Sequence, residues 1–489
     1  MAPTETDTNH VEASQEHHAS DDNGNVTLHD IWEHRRVLGF CFLIFLLPIN
    51  FGFEINNVGN LLAVVPFMEE FGKVVDGTLL ITAQDQQILN AATTVGIFVS
   101  AFATGFISDK VGRKYTIVLA CFICIAGIMM APNKLRGTCL VLINTMIVIG
   151  QWLNSLVIYA CSDRTDDMAW RIPVITQLIP PCLLLMGLFF LPESPSWLLV
   201  RGRIDDAKNS YLRFNGKDFD ADTAVAVAQL AIRSENEAMG EGGSWLQCLK
   251  GTDGRRTLII CMVYIAQQFI GVNFVSGYLT YYFRLAGVNN PIGIAQAAFA
   301  IQLFGNICSW PLVDRVGRRP MIVGGMITMT AGLLIIGGIS TIGSKPALSA
   351  TVAFMVLWGF LYQMTVGATA YSVGGETPSI PLRQKTYAIN IMSATAVSCL
   401  VLQVMPYLIN SDELNLGGKI CFIFFAFSVP MCVYLYFCLP EMKGRNYAEI
   451  QELFDKKVPA RQFKDYQCNL GDAVVAKRIE LEDRKPAEV

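Results

Sequence analysis

The chain has 489 residues, of which 52% are hydrophobic and 16% charged, with a formal net charge of −4. Soluble domains carry about 25% charged residues, so this balance and the mean hydropathy of +0.41 exclude an ordinary water-soluble core. The acidic pI of 5.8 removes the basic footprint that nucleic-acid binding requires.

The first 36 residues predict a disordered tail holding all five histidines, His10, His17, His18, His29 and His34. Polarity without a hydrophobic pattern argues for disorder rather than a metal site. Residues 1–30 lack an apolar core, so the first apolar segment is expected to serve as signal and anchor together. Apolar runs near the ~20 residues that cross a bilayer as helix fall at 38–67, 86–108, 115–131, 138–160, 171–191, 257–284, 293–313, 320–342, 348–375, 386–409 and 419–439. These divide into a first bundle (37–191), a polar middle segment (192–256), a second bundle (257–441) and a charged tail (442–489). The middle segment carries amphipathic runs, RGRIDDAKNSYLRF and TAVAVAQLAIRSENEA, that predict small helices lying under the membrane. Lys and Arg concentrate in 109–114, 192–256, 314–320, 383–385 and the tail. The positive-inside rule therefore places those loops and both termini in the cytoplasm. Most of the 14 cysteines lie in apolar runs, such as Cys121, Cys124, Cys421, Cys432 and Cys438. They show neither metal-ligand nor secreted-disulfide spacing and read as buried thiols.

Self-comparison shows two related halves. GFISDKVGRK (105–114) recurs as WPLVDRVGRRP (310–320), APNKLRGT (131–138) as TPSIPLRQKT (377–386), and LPESPSW (191–197) as LPEMKGR (439–445). Repeats in one order across apolar spans are the mark of a two-bundle transporter with its site near the bilayer midplane. The spacings disagree, however. Arg113 and Arg136 stand 23 positions apart, whereas Arg318 and Arg383 stand 65 apart. The first half is thus short by about 42 residues, nearly all between Arg113 and Arg136, where the second half fits two spans. If 115–131 crosses the bilayer, Arg136 emerges on the opposite side. If it does not, ten working spans remain with normal sidedness, and this is the favoured count.

The motifs G-x-x-x-D-K-x-G-R-K (Gly105–Lys114), W-R-I-P (170–173), P-E-S-P-S-W-L, QQFIGVN (267–273) and PEMKGR, in this order, resemble the sugar porter family of the major facilitator superfamily. GYLTYYFRLAG (277–287) and ETPSIPLRQKT are most similar to fungal α-glucoside and hexose proton symporters. The resemblance implies an all-α integral membrane fold of two pseudo-symmetric helical bundles, with 10–11 transmembrane helices instead of 12. The missing stretch would be the end of the third helix and the fourth. It implies transport of a sugar, with protons as the coupling ion, and a monomer in the lipid bilayer, by family analogy the plasma membrane. It implies no enzymatic step, no cofactor, no metal and no nucleic-acid partner. A non-transporting sugar sensor and a transport-defective porter stand as alternatives.

Residues follow from the same resemblance. Sugar contacts map onto Gln267, Gln268 and Asn273, with Gln151, Asn144 and Gln302 at further amide positions. Side-chain amides both donate and accept, as sugar hydroxyls do. Tyr371 stands where the family usually has Trp, and Ala368 replaces a common Pro. Trp358 and Tyr278 are alternative aromatics. Glu54 in NFGFEINNVG matches the family's proton-coupling Asp, although its usual Arg partner belongs to the absent fourth helix. Asp109, Arg113, Arg136, Glu193, Asp314, Arg318, Glu376, Arg383, Glu441 and Arg445 match a cytoplasmic charge clamp between the halves. Met129 replaces the Glu expected seven residues before Arg136.

Overall fold

The computed structural model describes residues 35–97, 133–229 and 245–466, apart from 76–77, 92–93, 96, 189–191, 217–219, 223, 227, 380–381, 411–412 and 446. Helices dominate because, in apolar sequence, a helix alone satisfies its backbone groups within one segment. The first half opens with α1 (Arg35–Leu61), the short α2 (Val65–Phe71) and an antiparallel hairpin of β1 (Lys73–Val75) and β2 (Thr78–Leu80), with Val74 opposite Leu79. A helical segment begins at residue 83. Then come α3 (Asn133–Cys161), α4 (Met168–Thr176) and α5 (Ile179–Leu188). Sequence reading expects one continuous span at 171–191; the chain instead breaks after Thr176, just ahead of Pro180 and Pro181. The middle segment contributes α6 (Pro195–Val200) and α7 (Ile204–Asn215), the latter matching the first expected amphipathic run.

The second half holds α8 (Gly251–Phe269), α9 (Leu279–Leu285), α10 (Pro291–Val316), α11 (Arg318–Ser340), α12 (Lys345–Tyr362), α13 (Ala368–Glu376), α14 (Arg383–Ile409) and α15 (Ile420–Cys438). A small helix, α16 (Tyr447–Asp455), follows. Two of its spans are interrupted. A π-turn at Asn273–Gly277 separates α8 from α9, and another at Gln363–Gly367 joins α12 to α13. Among the described residues, six helices are long and apolar enough to cross a membrane. Exposed Phe304, Leu400, Phe427 and Val433 give these helices the outward apolar surface that lipid contact requires.

Helix directions bear on the count of crossings. Gly52 of α1 lays its backbone on Ile147 of α3, and further along Asn60 bonds Asn154. The two helices therefore run the same way. Thr145, near the start of α3, meets Asn306 and Trp310, near the end of α10. Arg35, Asn133 and Val316 thus share one end of the molecule. The arrangement in which an extra crossing carries Arg136 to the opposite side is not the one adopted, although 115–131 itself lies outside the described residues.

Between the halves, Gly59 of α1 sits so close to the Gly277 carbonyl that no Cβ fits. Small residues permit such backbone contact between membrane helices. Among the described residues an extensive apolar cluster centres on the fully buried Phe274, Tyr281, Phe283 and Phe299 of the second half and takes in Leu62, Met68 and Ile81 of the first.

Candidate functional site

The site forms where α8 breaks. Gly271 adopts φ +91°, a left-handed conformation open to glycine at little cost, and the chain then enters the π-turn. The sequence suggests Gln267, Gln268 and Asn273 on or near one regular helical face. The break produces a different grouping. Asn273 Nδ2 folds back to Gln268 Oε1 (2.9 Å) and also donates to Ser398 Oγ on α14 (3.1 Å). Gln267 is buried and turns toward the other interruption, where its Nε2 reaches the Val366 carbonyl at 3.4 Å. The end of α8 thus reaches the second π-turn through Gln267, and broken helices are where such bundles place polar backbone and ligands.

Amides from the first half and from α10 join this level. Gln151 of α3 is buried, and its Oε1 has no partner among the described residues. Gln302 of α10 is fully buried against Gly359, and neither end of its amide has a hydrogen-bond partner among the described residues. Asn144 donates from Nδ2 to Oε1 of the buried Gln363 (2.9 Å), which stands in the second π-turn. That pair crosses the halves, and sequence reading did not single out Gln363. Tyr371 is half-buried and meets Tyr264 edge to face, with ring centroids 5.8 Å apart. The alternative aromatics are committed to packing. Trp358 donates to the Met329 carbonyl (3.2 Å) and stacks on Tyr362 at 5.6 Å, while the Tyr278 hydroxyl accepts from Asn90 Nδ2 (2.7 Å).

Sequence reading also missed an asparagine ladder. Asn60 Nδ2 donates to Asn154 Oδ1 (2.8 Å), Asn154 Nδ2 donates to Asn57 Oδ1 (3.0 Å), and Thr280 of α9 donates to Asn60 Oδ1 (2.5 Å). At the same end Gln86 Nε2 donates to Tyr281 Oη and to Asn410 Oδ1 (3.3 Å each), and Tyr407 donates to Gln87 Oε1 (3.0 Å). Arg284 donates to the Ala63 carbonyl. On the other side of the amide level, Trp310 Nε1 donates to Thr145 Oγ1 (3.0 Å), which donates to Asn306 Oδ1 (2.5 Å). Described residues of the two halves thus meet on both sides of the site.

Glu54 is exposed on α1 and makes no ion pair among the described residues. The charge cluster gathers around Arg318, whose guanidinium lies 3.4 Å from Asp314 and 3.1 Å from Glu376. Glu441 accepts the backbone N–H groups of Arg318 and Arg319, both at 3.1 Å. A carboxylate at the start of α11 satisfies donors that the helix leaves free and favours its dipole. These bonds join α10, α11, α13 and the segment after α15, all within the second half rather than between the halves. Arg445 turns elsewhere. It pairs with Glu449 (3.5 Å) and donates to the carbonyls of Phe463, Lys464 and Tyr466, holding the tail. Glu193 accepts from the Ser194 N–H (3.0 Å), and its carbonyl accepts from Ser210 Oγ. Arg383 begins α14. Asp109, Arg113 and Met129 lie outside the described residues, as does the side chain of Arg136. Among the described residues, no group of three or more His, Cys, Asp or Glu could hold a metal ion.

Gly317 explains the glycine of the repeated Asp–basic–x–Gly–Arg motif. Its φ is +103°, and a Cβ there would fall 2.6 Å from Glu441 Oε2. Gly317→Ala is expected to destabilise the protein by about 1–3 kcal/mol, read as a lower thermal midpoint of the detergent-purified protein. An unchanged midpoint would contradict this packing.

The sequence profile described as Sugar (and other) transporter matches residues 40–131 and 128–454. The general alpha-glucoside permease of Saccharomyces cerevisiae is 27% identical over 457 residues, covering 84% of this chain and 74% of that protein. Maltose permease MAL31 of the same species is 25% identical over 499 residues, covering 93% and 81%. Among solved structures, the proton:xylose symporter XylE bound to 6-bromo-6-deoxy-D-glucose superposes with a TM-score of 0.68 at 20% identity, covering 85% of this chain and 99% of that one. The inward-open xylose transporter XylE from E. coli gives 0.64 at 18% identity, covering 85% and 99%. These superpositions show a shared fold of the major facilitator superfamily.

Proposed function

Because the chain belongs to the sugar transporter family, we propose that it carries a neutral sugar across a membrane by alternating access, with a proton as the coupling ion. One observation carries the reading. Gln267, Gln268, Asn273, Gln151, Asn144 and Gln302 contribute six side-chain amides from three spans, two of them beside the break in α8. A sugar offers hydroxyls that donate and accept, so amides match it without the cost of burying a charge. The unpartnered groups of Gln302 and Gln151 leave bonding capacity for a ligand. Tyr371 supplies an aromatic face of the kind that packs on sugar C–H surfaces.

The substrate class follows the named relatives, an α-glucoside such as maltose or its glucose unit. Glu54 is the proposed proton carrier, the exposed carboxylate of α1. The bundles are proposed to divide at 37–191 and 257–441, joined by the 192–256 segment. Both termini are placed in the cytoplasm, and the protein is assigned as a monomer of the plasma membrane. The family is one of transporters, and the proposal includes no catalytic step.

The test is uptake of radiolabelled maltose and D-glucose in a transporter-deficient yeast, with and without a proton uncoupler. Uptake that concentrates the sugar and collapses with the uncoupler is expected. The family match meets itself at 128–131, inside the shortened interval, and this supports a second reading: a porter that binds sugar without carrying it. Binding of either sugar by the purified protein, with no uptake by cells that display it on their surface, would select that reading. Absence of both binding and uptake would overturn the two together.

A further inference from the structure

Asn56 is 1% exposed on α1, and neither atom of its side-chain amide has a hydrogen-bond partner among the described residues. Buried polar groups are nearly always satisfied, so such an orphan calls for an explanation. The neighbouring amides do not supply one. Asn57, Asn60 and Asn154 are bonded to one another, and Thr280 completes Asn60. That ladder fixes the register of α1 on α3 and leaves Asn56 out.

The register locates Asn56. One turn before it, Gly52 packs on Ile147; one turn after it, Asn60 bonds Asn154. On parallel helices these contacts, with the Asn57–Asn154 bond, set Asn56 level with residues 150–153 of α3, residues i and i+4 lying on one face. Gln151, also buried and with its Oε1 unpartnered, stands at that level. Two under-satisfied amides on neighbouring helices therefore stand at about the depth of the proposed site. An apolar side chain at residue 56 would pack there without leaving polar atoms unbonded.

We infer that Asn56 contacts the sugar, as the contribution of α1 to the site, and reads a hydroxyl on the ring that Gln151 also binds. The inference rests on the proposed sugar reading and adds a specificity-determining residue to it. Its Oδ1 accepts a hydroxyl proton and its Nδ2 donates to a hydroxyl oxygen.

The test uses the full chain purified in detergent, with bound radiolabelled maltose and D-glucose as readouts and a set of monodeoxyglucoses as competitors. Asn56→Leu keeps the volume and removes both polar atoms. It is expected to weaken binding about 10–100-fold. The wild type should discriminate against one monodeoxyglucose in particular, and the variant should compete equally well with that analogue and with glucose. A merely structural residue would not move that preference. Asn56→Ser is read in the same way should the leucine variant fail to purify as a monodisperse species. Unchanged affinity and unchanged deoxy-sugar preference in a folded variant would overturn the inference while leaving the sugar reading intact. A wild type that binds neither sugar would overturn both.

Discussion

Gln267→Ala is expected to raise the sugar concentration for half-maximal uptake about 10–100-fold, the effect of losing about 1–3 kcal/mol of hydrogen bonding to a buried ligand. The geometry sets this expectation. In the structure Gln267 is buried and its one side-chain bond among the described residues, to the Val366 carbonyl, is 3.4 Å long. That is beyond the usual 2.7–3.2 Å range, so a sugar hydroxyl displaces it at little cost. Gln268 and Asn273 differ, since each already holds the other across the break. Asn273→Ala removes that tether along with the Ser398 bond and is expected to lower the maximal rate as well. Measuring both kinetic parameters separates the cases. A Gln267→Ala protein that reaches the membrane and keeps the wild-type half-saturation would remove Gln267 from the site.

Glu54→Gln is expected to abolish accumulation against a gradient while preserving exchange of labelled for unlabelled sugar across the membrane. The amide retains the size of the side chain but neither binds nor releases a proton. Coupling needs a group whose charge changes between the two facings of the carrier, because only a differential interaction shifts their balance. Exchange needs the sugar-loaded carrier alone and carries no such requirement. Preloaded vesicles with an imposed pH gradient provide both readouts. Concentrative uptake by Glu54→Gln at the wild-type level would exclude the coupling role.

Much of the architecture is legible in the residue pattern. Every expected span that falls wholly within the described residues corresponds to a helix or a pair of helices. The spans at 293–313, 320–342 and 419–439 match α10, α11 and α15 closely. Uninterrupted apolar length in a chain that must satisfy its own backbone leaves few alternatives. Interruptions are less legible. QQFIGVN reads as a regular helix by period, yet Gly271 and the π-turn fold Asn273 back toward Gln268, a local event that a period of 3.6 residues does not encode. Residues 68–85 fall between two expected spans, and they hold the end of α2 and a hairpin that no apolar run announces.

Partners distant in the chain were the hardest to see. Three asparagines in NNVGN were visible within an apolar span, and their cost in lipid marks them as functional or paired. Asn154, the partner of Asn60 and Asn57, stands 94 and 97 residues away, and nothing in local pattern joins them. The clamp shows the same limit. The Asp–basic–x–Gly–Arg repeat identified Asp314 and Arg318, but the role of Glu441 as an acceptor at the start of α11 depends on the end of α15 returning to that place. Arg445, which shares the PEMKGR motif with Glu441, is drawn away by the carbonyls of the tail.

The meeting of Gly59 with Gly277 has a mechanical consequence. Interlocked side chains resist rotation, because every ridge must climb out of its groove before the next position is reached. Two bare backbones in contact present no ridges. A tilt of one half against the other about that point breaks no knob-and-hole fit, so the contact, next to the Asn60–Thr280 bond, can serve as a fulcrum for motion at the far end of the bundle.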